Sequence, residues 1–301
     1  LVNGGGGYFS ERAADYQVDV GGRSHGAVFT DIDNDADLDL FVVNYRTPNG
    51  PLPFLNVFIN NADGTFTDRT QTYNIRMSGY SAVFGDVDND SDFDMLLVRN
   101  PDKDPGARPV LYLNDGTGQL SPRPSSGVEI TAQDPRGAGY ADIDGDGDMD
   151  FFIACKDGQN YLLRNDLDNN NHYIDVLCYG PQGDYGGFGS KVWIYEPGHL
   201  GDDTHLIAYQ ESISQYAYLC QNQTALHFGL GQYSACDIKI VLTDGSVHTF
   251  EDIESDQRFV FRGPADLNYK SGTDQHGWIE RQFAKALVVR VTRQSEAVAD
   301  A

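Results

Sequence analysis

Short apolar runs recur in a fixed order along the first half of the chain, each set off by a polar loop. His25–Thr30, Tyr80–Gly85 and Gly137–Ala141 are small and apolar. Each leads through an acidic stretch into a compact apolar run: Leu40–Asn44, Met95–Arg99 or Phe151–Cys155. A third run follows at Asn56–Asn60, Val110–Asn114 and Tyr161–Asn165. In the first two copies it ends in a turn, Asn61–Gly64 or Asp115–Gly118, and a last short run carries Phe66 or Leu120. Brief apolar runs bounded by Gly, Asn and Asp predict strands, since a helix needs a longer stretch with a 3.6-residue period. Self-similarity at about 55 residues predicts a repeat. Strand, acidic loop, strand, strand, turn, strand is one four-stranded blade.

The acidic stretches hold aspartate at every second position. They are Asp31, Asp33, Asp35, Asp37 and Asp39; Asp86, Asp88, Asp90, Asp92 and Asp94; and Asp142, Asp144, Asp146, Asp148 and Asp150. Five carboxylates in nine residues repel one another unless a cation neutralises them, and hard oxygen donors at alternating positions suit Ca²⁺. A single such run could be a solvated acidic loop. Three in register, each feeding an apolar strand, predict about three bound Ca²⁺ ions with all fifteen aspartates as candidate ligands.

These residues resemble the FG-GAP/VCBS repeat family, whose blades build β-propellers. The resemblance covers residues 1–165. It implies that loop positions 1, 3, 5 and 9 ligate calcium, which here means Asp31, Asp33, Asp35, Asp39 and their counterparts. The family often places Gly at position 6. Only Gly147 keeps it, with Ala36 and Ser91 in its place, so those two loops are expected to turn differently or bind more weakly.

Leu1–Phe9 aligns with Phe58–Phe66, the outer end of a blade. The first 166 residues therefore divide into a partial blade (1–17) and blades at about 18–75, 76–130 and 131–166. Propellers close with about four to eight blades, so three and a fragment cannot close a ring. An open edge invites pairing. The tail segment Phe283–Arg293 is β-branched and apolar, and it could complete the first blade of its own chain, complete that of a neighbour, or pack on its own domain. Donation between chains would be head-to-tail and give a ring or a fibre.

After about Asp168 the period disappears. Alternating runs at His172–Cys178, Lys191–Tyr195, Ile238–Leu242 and Val247–Phe250 predict an antiparallel β-sandwich over 167–262, followed by a linker and strand extension at 263–301. Gly189–Trp193 and His227–Gly231 resemble the ASPIC/UnbV domain, which commonly follows FG-GAP repeats. The family's Trp-Pro-x-Gly turn reads Leu242-Thr-Asp-Gly245 here, so any role tied to that Trp is not implied. The expected fold is thus all-β, with propeller-type blades followed by a sandwich.

Composition narrows the function. Lys plus Arg number 21 against 45 Asp plus Glu, a net charge of −24. That disfavours nucleic acid or an anionic membrane as a partner, because both need a basic face. No apolar stretch approaches the length of a membrane span. The chain begins at Leu1 without Met or a leader, which reads as a processed chain or a fragment. Calcium loops of this kind point outside the cell. Cys155, Cys178, Cys220 and Cys236 allow three pairings; Cys220 with Cys236 is the simplest, and free buried thiols are the alternative. Asn89 and Asn222 head glycosylation sequons. Asp166, Asp168 and Asn170 could form a fourth cation site or a polar linker. His199 and His205 flank Asp202 and Asp203, as a loop metal site or an ordinary surface loop. No nucleophile elbow, phosphate loop or zinc-protease motif occurs, and no catalytic residue is assigned. The sequence therefore reads as a secreted, non-enzymatic, calcium-stabilised structural or adhesive protein that associates with itself. A carbohydrate-binding module, with Tyr45, Tyr185 and Tyr216 stacking on glycans, is the alternative. An extracellular polysaccharide lyase or hydrolase is the second.

Overall fold

The computed structural model describes residues 6–47, 50–101 and 104–263, together with the backbone of 2–3, 292–293 and 296–297. Three blades follow an N-terminal hairpin of β1 (Val2–Asn3) and β2 (Phe9–Ser10). The first blade is β3 (Ser24–Thr30), β4 (Asp39–Asn44), β5 (Asn56–Asn60) and β6 (Phe66–Asp68), paired in that order, with a one-turn helix at Thr70–Tyr73 after it. The second is β7 (Gly79–Gly85), β8 (Asp94–Arg99), β9 (Val110–Leu113) and β10 (Ser121–Pro122). The third has three strands, β11 (Pro135–Ala141), β12 (Asp150–Cys155) and β13 (Tyr161–Leu163). In every blade the acidic loop joins the first two strands. Thr30 pairs with Asp39, Gly85 with Asp94 and Ala141 with Asp150. Loop position 9 thus pairs with the residue just before position 1, which closes the hairpin mouth.

Burial follows from stacking. Every residue of β7 is buried, as are Asp94–Val98 of β8, because the second blade has a neighbour on each face. That explains why Met95-Leu-Leu-Val98 reads as a continuous apolar run and not as an alternation. The outer blades keep exposed rings: Phe29 on the first and Phe152 on the third. One core runs through all three blades, with Phe41 against Phe84 at 4.5 Å between ring centroids and Met149, Phe151 and Ile153 joining it. No closed ring forms among the described residues.

The second unit is a sandwich. One sheet orders β17 (Leu226–Gly231), β14 (His172–Cys178) and β20 (Gln257–Phe261). The other orders β16 (Leu206–Glu211), β15 (Lys191–Tyr195), β18 (Ala235–Val241) and β19 (Val247–Glu254). Alternating residues such as Val192, Ile194, Cys236, Ile238 and Ile240 fill the interior with Ile174, Val176, Phe228 and Phe261. The pairing is antiparallel except for β14 with β20, which run parallel from Ile174–Gln257 to Cys178–Phe261. Cys220 and Cys236 are not bridged; all four cysteines are free. Cys236 lies in the sandwich core and Cys220 lies against Gly137 of the third blade. Burial pushes the Cys178 and Cys236 thiols up to about 12, which keeps them unreactive.

The inner edge of the blades is covered from an unexpected side. β3, β7 and β11 are edge strands of their sheets and lie side by side. The segment between β16 and β17, residues 212–225, returns from the sandwich and lies on them. Gln223 N–H donates to the Tyr140 carbonyl at 2.9 Å, and Tyr140 N–H donates to Asn222 Oδ1 at 3.2 Å. The backbone comes so close that a Cβ on Gly137 would sit 2.9 Å from the Tyr218 carbonyl, and one on Gly139 would sit 2.9 Å from that of Gln221. Tyr218 completes an aromatic group with His25, Tyr45 and Tyr80, capped by Arg136 at 4.1 Å over the Tyr80 ring. The tail strand expected at Phe283–Arg293 lies outside the described residues apart from its last two. Thr292–Arg293 pair with Glu296–Ala297 in a small hairpin.

Candidate metal centres

Each acidic loop is organised by backbone amides before any ion is considered. The position 9 carboxylate receives two. Ile32, Val87 and Ile143 N–H donate to Asp39, Asp94 and Asp150 Oδ2 at 3.0–3.1 Å. Asn60, Asn114 and Asn165 N–H donate to the other oxygen at 2.8–2.9 Å. Position 1 gathers the loop's middle: Asp31 accepts from Asp35 and Ala36, Asp86 from Asp90 and Ser91, and Asp142 from Gly145 and Gly147. These bonds require a left-handed residue at position 6, and Ala36 (φ 69°), Ser91 (φ 88°) and Gly147 (φ 91°) all adopt it. The expectation that the first two loops turn differently for want of Gly is not met. Gly147 is required for a second reason, since a Cβ there would lie 2.0 Å from the Tyr173 ring.

Three groups of carboxylates converge, with one oxygen from each residue within 4.8 Å of the others: Asp31, Asp33 and Asp39; Asp86, Asp88 and Asp90; Asp142, Asp144 and Asp146. Each could hold a metal ion. The position 7 residues Asp37, Asp92 and Asp148 stand outside these groups. Two of them bind the preceding blade instead. Asn34 Nδ2 donates to Asp92 Oδ1 at 2.7 Å and Asn89 Nδ2 donates to Asp148 Oδ1 at 3.0 Å. A parallel pair of bonds runs from Asn114 Nδ2 to the Ile32 carbonyl and from Asn165 Nδ2 to the Val87 carbonyl, at 2.8 and 2.7 Å. Loop position 4 and the end of the third strand are thus blade-to-blade latches, which ligand spacing alone did not reveal.

Electrostatics separates the three groups. Burial pushes the Asp31 carboxyl up to about 8 and Asp39 up to about 7. Burial likewise raises Asp86 and Asp94 well above the carboxylate range, and raises Asp90 to about 7 with Asp88 adding repulsion. Buried like charges need a counter-charge to stay ionised. Asp33 Oδ1 and Asp88 Oδ1, both at position 3, are buried without a hydrogen-bond partner among the described residues. Such orphaned oxygens inside a convergent, all-oxygen donor set fit a hard divalent cation. Position 3 of the third loop differs: Arg164 Nη1 lies 3.2 Å from Asp144 Oδ2, and Asp142 and Asp144 are more exposed than their counterparts in the first two loops. An arginine there supplies part of the positive charge that the first two loops lack.

The second loop is roofed by the sandwich. Gly229 N–H donates to Asp86 Oδ2 at 3.1 Å and Gly231 N–H to the Asn89 carbonyl at 2.9 Å. His227, 1% exposed, lies with Nε2 2.7 Å from Asn89 Oδ1 and Nδ1 3.1 Å from Asp175 Oδ1. Burial would raise Asp175, but hydrogen bonds from His227 and Arg258 outweigh it and hold the carboxyl below its usual range. A sealed His–Asp pair of this kind is structural, because no substrate reaches it.

Other sequence candidates fall as follows. Asp166, Asp168 and Asn170 line a polar cleft of about 500 Å³ with Asp146 and Asp148, but they form no convergent group among the described residues. Asn222 is buried with its side chain bonded to Tyr140, so it is no glycan acceptor. Tyr45 is buried and Tyr216 half-buried against the blade core, which leaves Tyr185 as the exposed member of the three proposed stacking rings.

Comparison with known proteins agrees with the geometry. The FG-GAP-like repeat family matches residues 31–97 and 94–153, and the ASPIC and UnbV family matches residues 180–267. Cartilage acidic protein 1 of Xenopus tropicalis is 25% identical over 262 residues, which are 82% of this chain and 38% of that protein. The chain therefore spans well under half the length of this relative. The chain thus carries FG-GAP-like repeats over residues 31–153, within the stacked blades, and a C-terminal ASPIC and UnbV domain over residues 180–267.

Proposed function

We propose that the protein is an extracellular, non-enzymatic structural or adhesive module whose blades are held rigid by calcium. The observation that carries this reading is the pair of buried, unpartnered position 3 oxygens, Asp33 Oδ1 and Asp88 Oδ1, inside carboxylate groups drawn together by backbone amides. Asp31, Asp33 and Asp39 hold the first ion, Asp86, Asp88 and Asp90 the second, and Asp142, Asp144 and Asp146 the third. Asp35, Asp94 and Asp150 are close enough in sequence to add to these sets. Bound Ca²⁺ supplies the missing positive charge and keeps the carboxylates ionised, which makes them poor general acids. The domain pairing and the cartilage-named relative support an extracellular, adhesion-type role.

Self-association is the finer part of the proposal. Tyr8 and Phe9 at the N-terminal hairpin are 81% and 60% exposed. Such an aromatic edge suits a strand from a second copy, added head-to-tail. Electron microscopy of purified protein in calcium and after chelation tests this. Rings or fibres in calcium that disperse in chelator are expected. A monodisperse monomer in both conditions refutes assembly. A glycan array on the same material separates the lectin reading, which requires specific retention, from the structural one.

A further inference from the structure

We propose that the tip of the β15–β16 hairpin is a binding site for a zinc-class divalent ion, held by Glu196, His199 and His205 and separate from the aspartate loops. One ligand atom from each of the three residues lies within 4.8 Å of the others. Donors on a tetrahedral ion at about 2.0–2.1 Å stand roughly 3.3 Å apart, so the three side chains close on an ion by contracting and by turning the two rings. The two imidazoles stack with centroids 3.8 Å apart and planes 16° from parallel. An imidazole ligates in its own ring plane, so the two near-parallel rings must splay about their side-chain torsions for both nitrogens to reach one ion.

The loop is built to keep this arrangement. Glu196 N–H donates to the His205 carbonyl at 3.0 Å, which closes the hairpin just beyond its last strand pair. His199 N–H donates to the Glu196 carbonyl, Asp202 N–H to that of His199, and His205 N–H to that of Asp202. Gly198 N–H is anchored at 2.9 Å on Oδ2 of Asp237, a fully buried carboxylate in the neighbouring strand. Outer partners orient the ligands. His205 Nδ1 lies 3.2 Å from Asp202 Oδ2, and Asp202 is itself fixed by the Thr204 N–H and hydroxyl. With Nδ1 donating to Asp202, the lone pair of His205 falls on Nε2. A carboxylate behind a histidine in this way is a recurrent companion of metal ligation. Glu196 takes a hydrogen bond from the Tyr233 hydroxyl, which is raised by that bond.

Donor chemistry selects the ion. Two imidazoles and one carboxylate suit Zn²⁺ and its first-row neighbours, whereas Ca²⁺ seeks six to eight oxygens. Three protein ligands leave a fourth position for water or for a donor from another molecule. The chain then carries two kinds of site, hard-cation loops in the blades and a nitrogen-containing site at the far end of the sandwich sheet.

Co²⁺ titration of the full chain, with the aspartate loops kept saturated by Ca²⁺, tests the proposal. One equivalent with a visible ligand-field band, displaced by Zn²⁺, is expected. His199→Ala and His205→Ala should abolish the band, and Asp202→Asn should weaken binding about 10- to 100-fold while keeping it. No saturable band up to millimolar Co²⁺, or a band untouched in both histidine variants, overturns the site. A measurement on the unaltered protein makes the result independent of variant folding. Zn²⁺ should protect His199 and His205 from diethyl pyrocarbonate while His172 still reacts; labelling of His199 and His205 unchanged by Zn²⁺ contradicts the proposal.

Discussion

Two residues carry a backbone conformation that their side chains oppose. Ala36 and Ser91 hold φ of 69° and 88° at position 6 of their loops, where the third loop has Gly147. A left-handed Cβ costs about 1–2 kcal/mol, partly offset by the extra freedom of Gly in the unfolded chain. The loop keeps this shape because Ala36 and Ser91 N–H are the donors to Asp31 and Asp86. Ala36→Gly and Ser91→Gly are therefore expected to stabilise the protein by roughly 0.5–1 kcal/mol each, seen as a rise in thermal midpoint with calcium present. A loss of stability in both variants would mean that the two side chains make contacts that outweigh the strain. The same reasoning shows what ligand spacing concealed. Alternating aspartates look equivalent in the sequence, yet burial and amide bonding divide them into convergent donors, a doubly capped position 9 and a latching position 7. Burial and latching depend on the neighbouring blade, which no local pattern reports.

At the scale of elements, strand positions were legible because each blade strand is a short apolar run with its own turn. The first, second and third strands of every blade fall within a residue or two of their expected places. β16 and β20 went unread: Leu206–Glu211 mixes Tyr, Gln and Glu with apolar residues, and Gln257–Phe261 begins with two polar residues. β17 was visible only as a family-like stretch, and its physical reason is now plain. Gly229 brings backbone onto the second acidic loop, and a Cβ there would sit 2.0 Å from Asp86 Oδ2 and 2.5 Å from the Asn89 backbone. Gly229→Ala should cost about 1–3 kcal/mol through overpacking and should loosen the sandwich from the blades. Limited proteolysis of the connecting segment 165–171 reads this directly. Cleavage as slow as in the unaltered protein would show that β17 does not fasten the two units.

For the whole molecule, the open stack raised the question of what covers its edges. The tail segment offered for the unfinished first blade lies outside the described residues apart from Thr292–Arg293, while the inner edge is covered by residues 212–225 of the sandwich, which occupy space left by Gly26, Gly137 and Gly139. That solution was illegible because the segment has neither strand alternation nor a repeat, and its role is set by glycines more than sixty residues away. The two units are thus joined at the inner strands and at the second acidic loop. Ions in the loops should strengthen both, since an ion bound only by the folded state adds about 2.7 kcal/mol at a hundredfold excess over its dissociation constant.

Calorimetric titration of Ca²⁺ into chelator-stripped protein addresses the central claim most directly. Two tighter equivalents, from the buried first and second loops, and one weaker equivalent, from the loop shared with Arg164, are expected, each saturation raising the thermal midpoint. No measurable binding, with melting indifferent to calcium and chelator alike, would contradict the account.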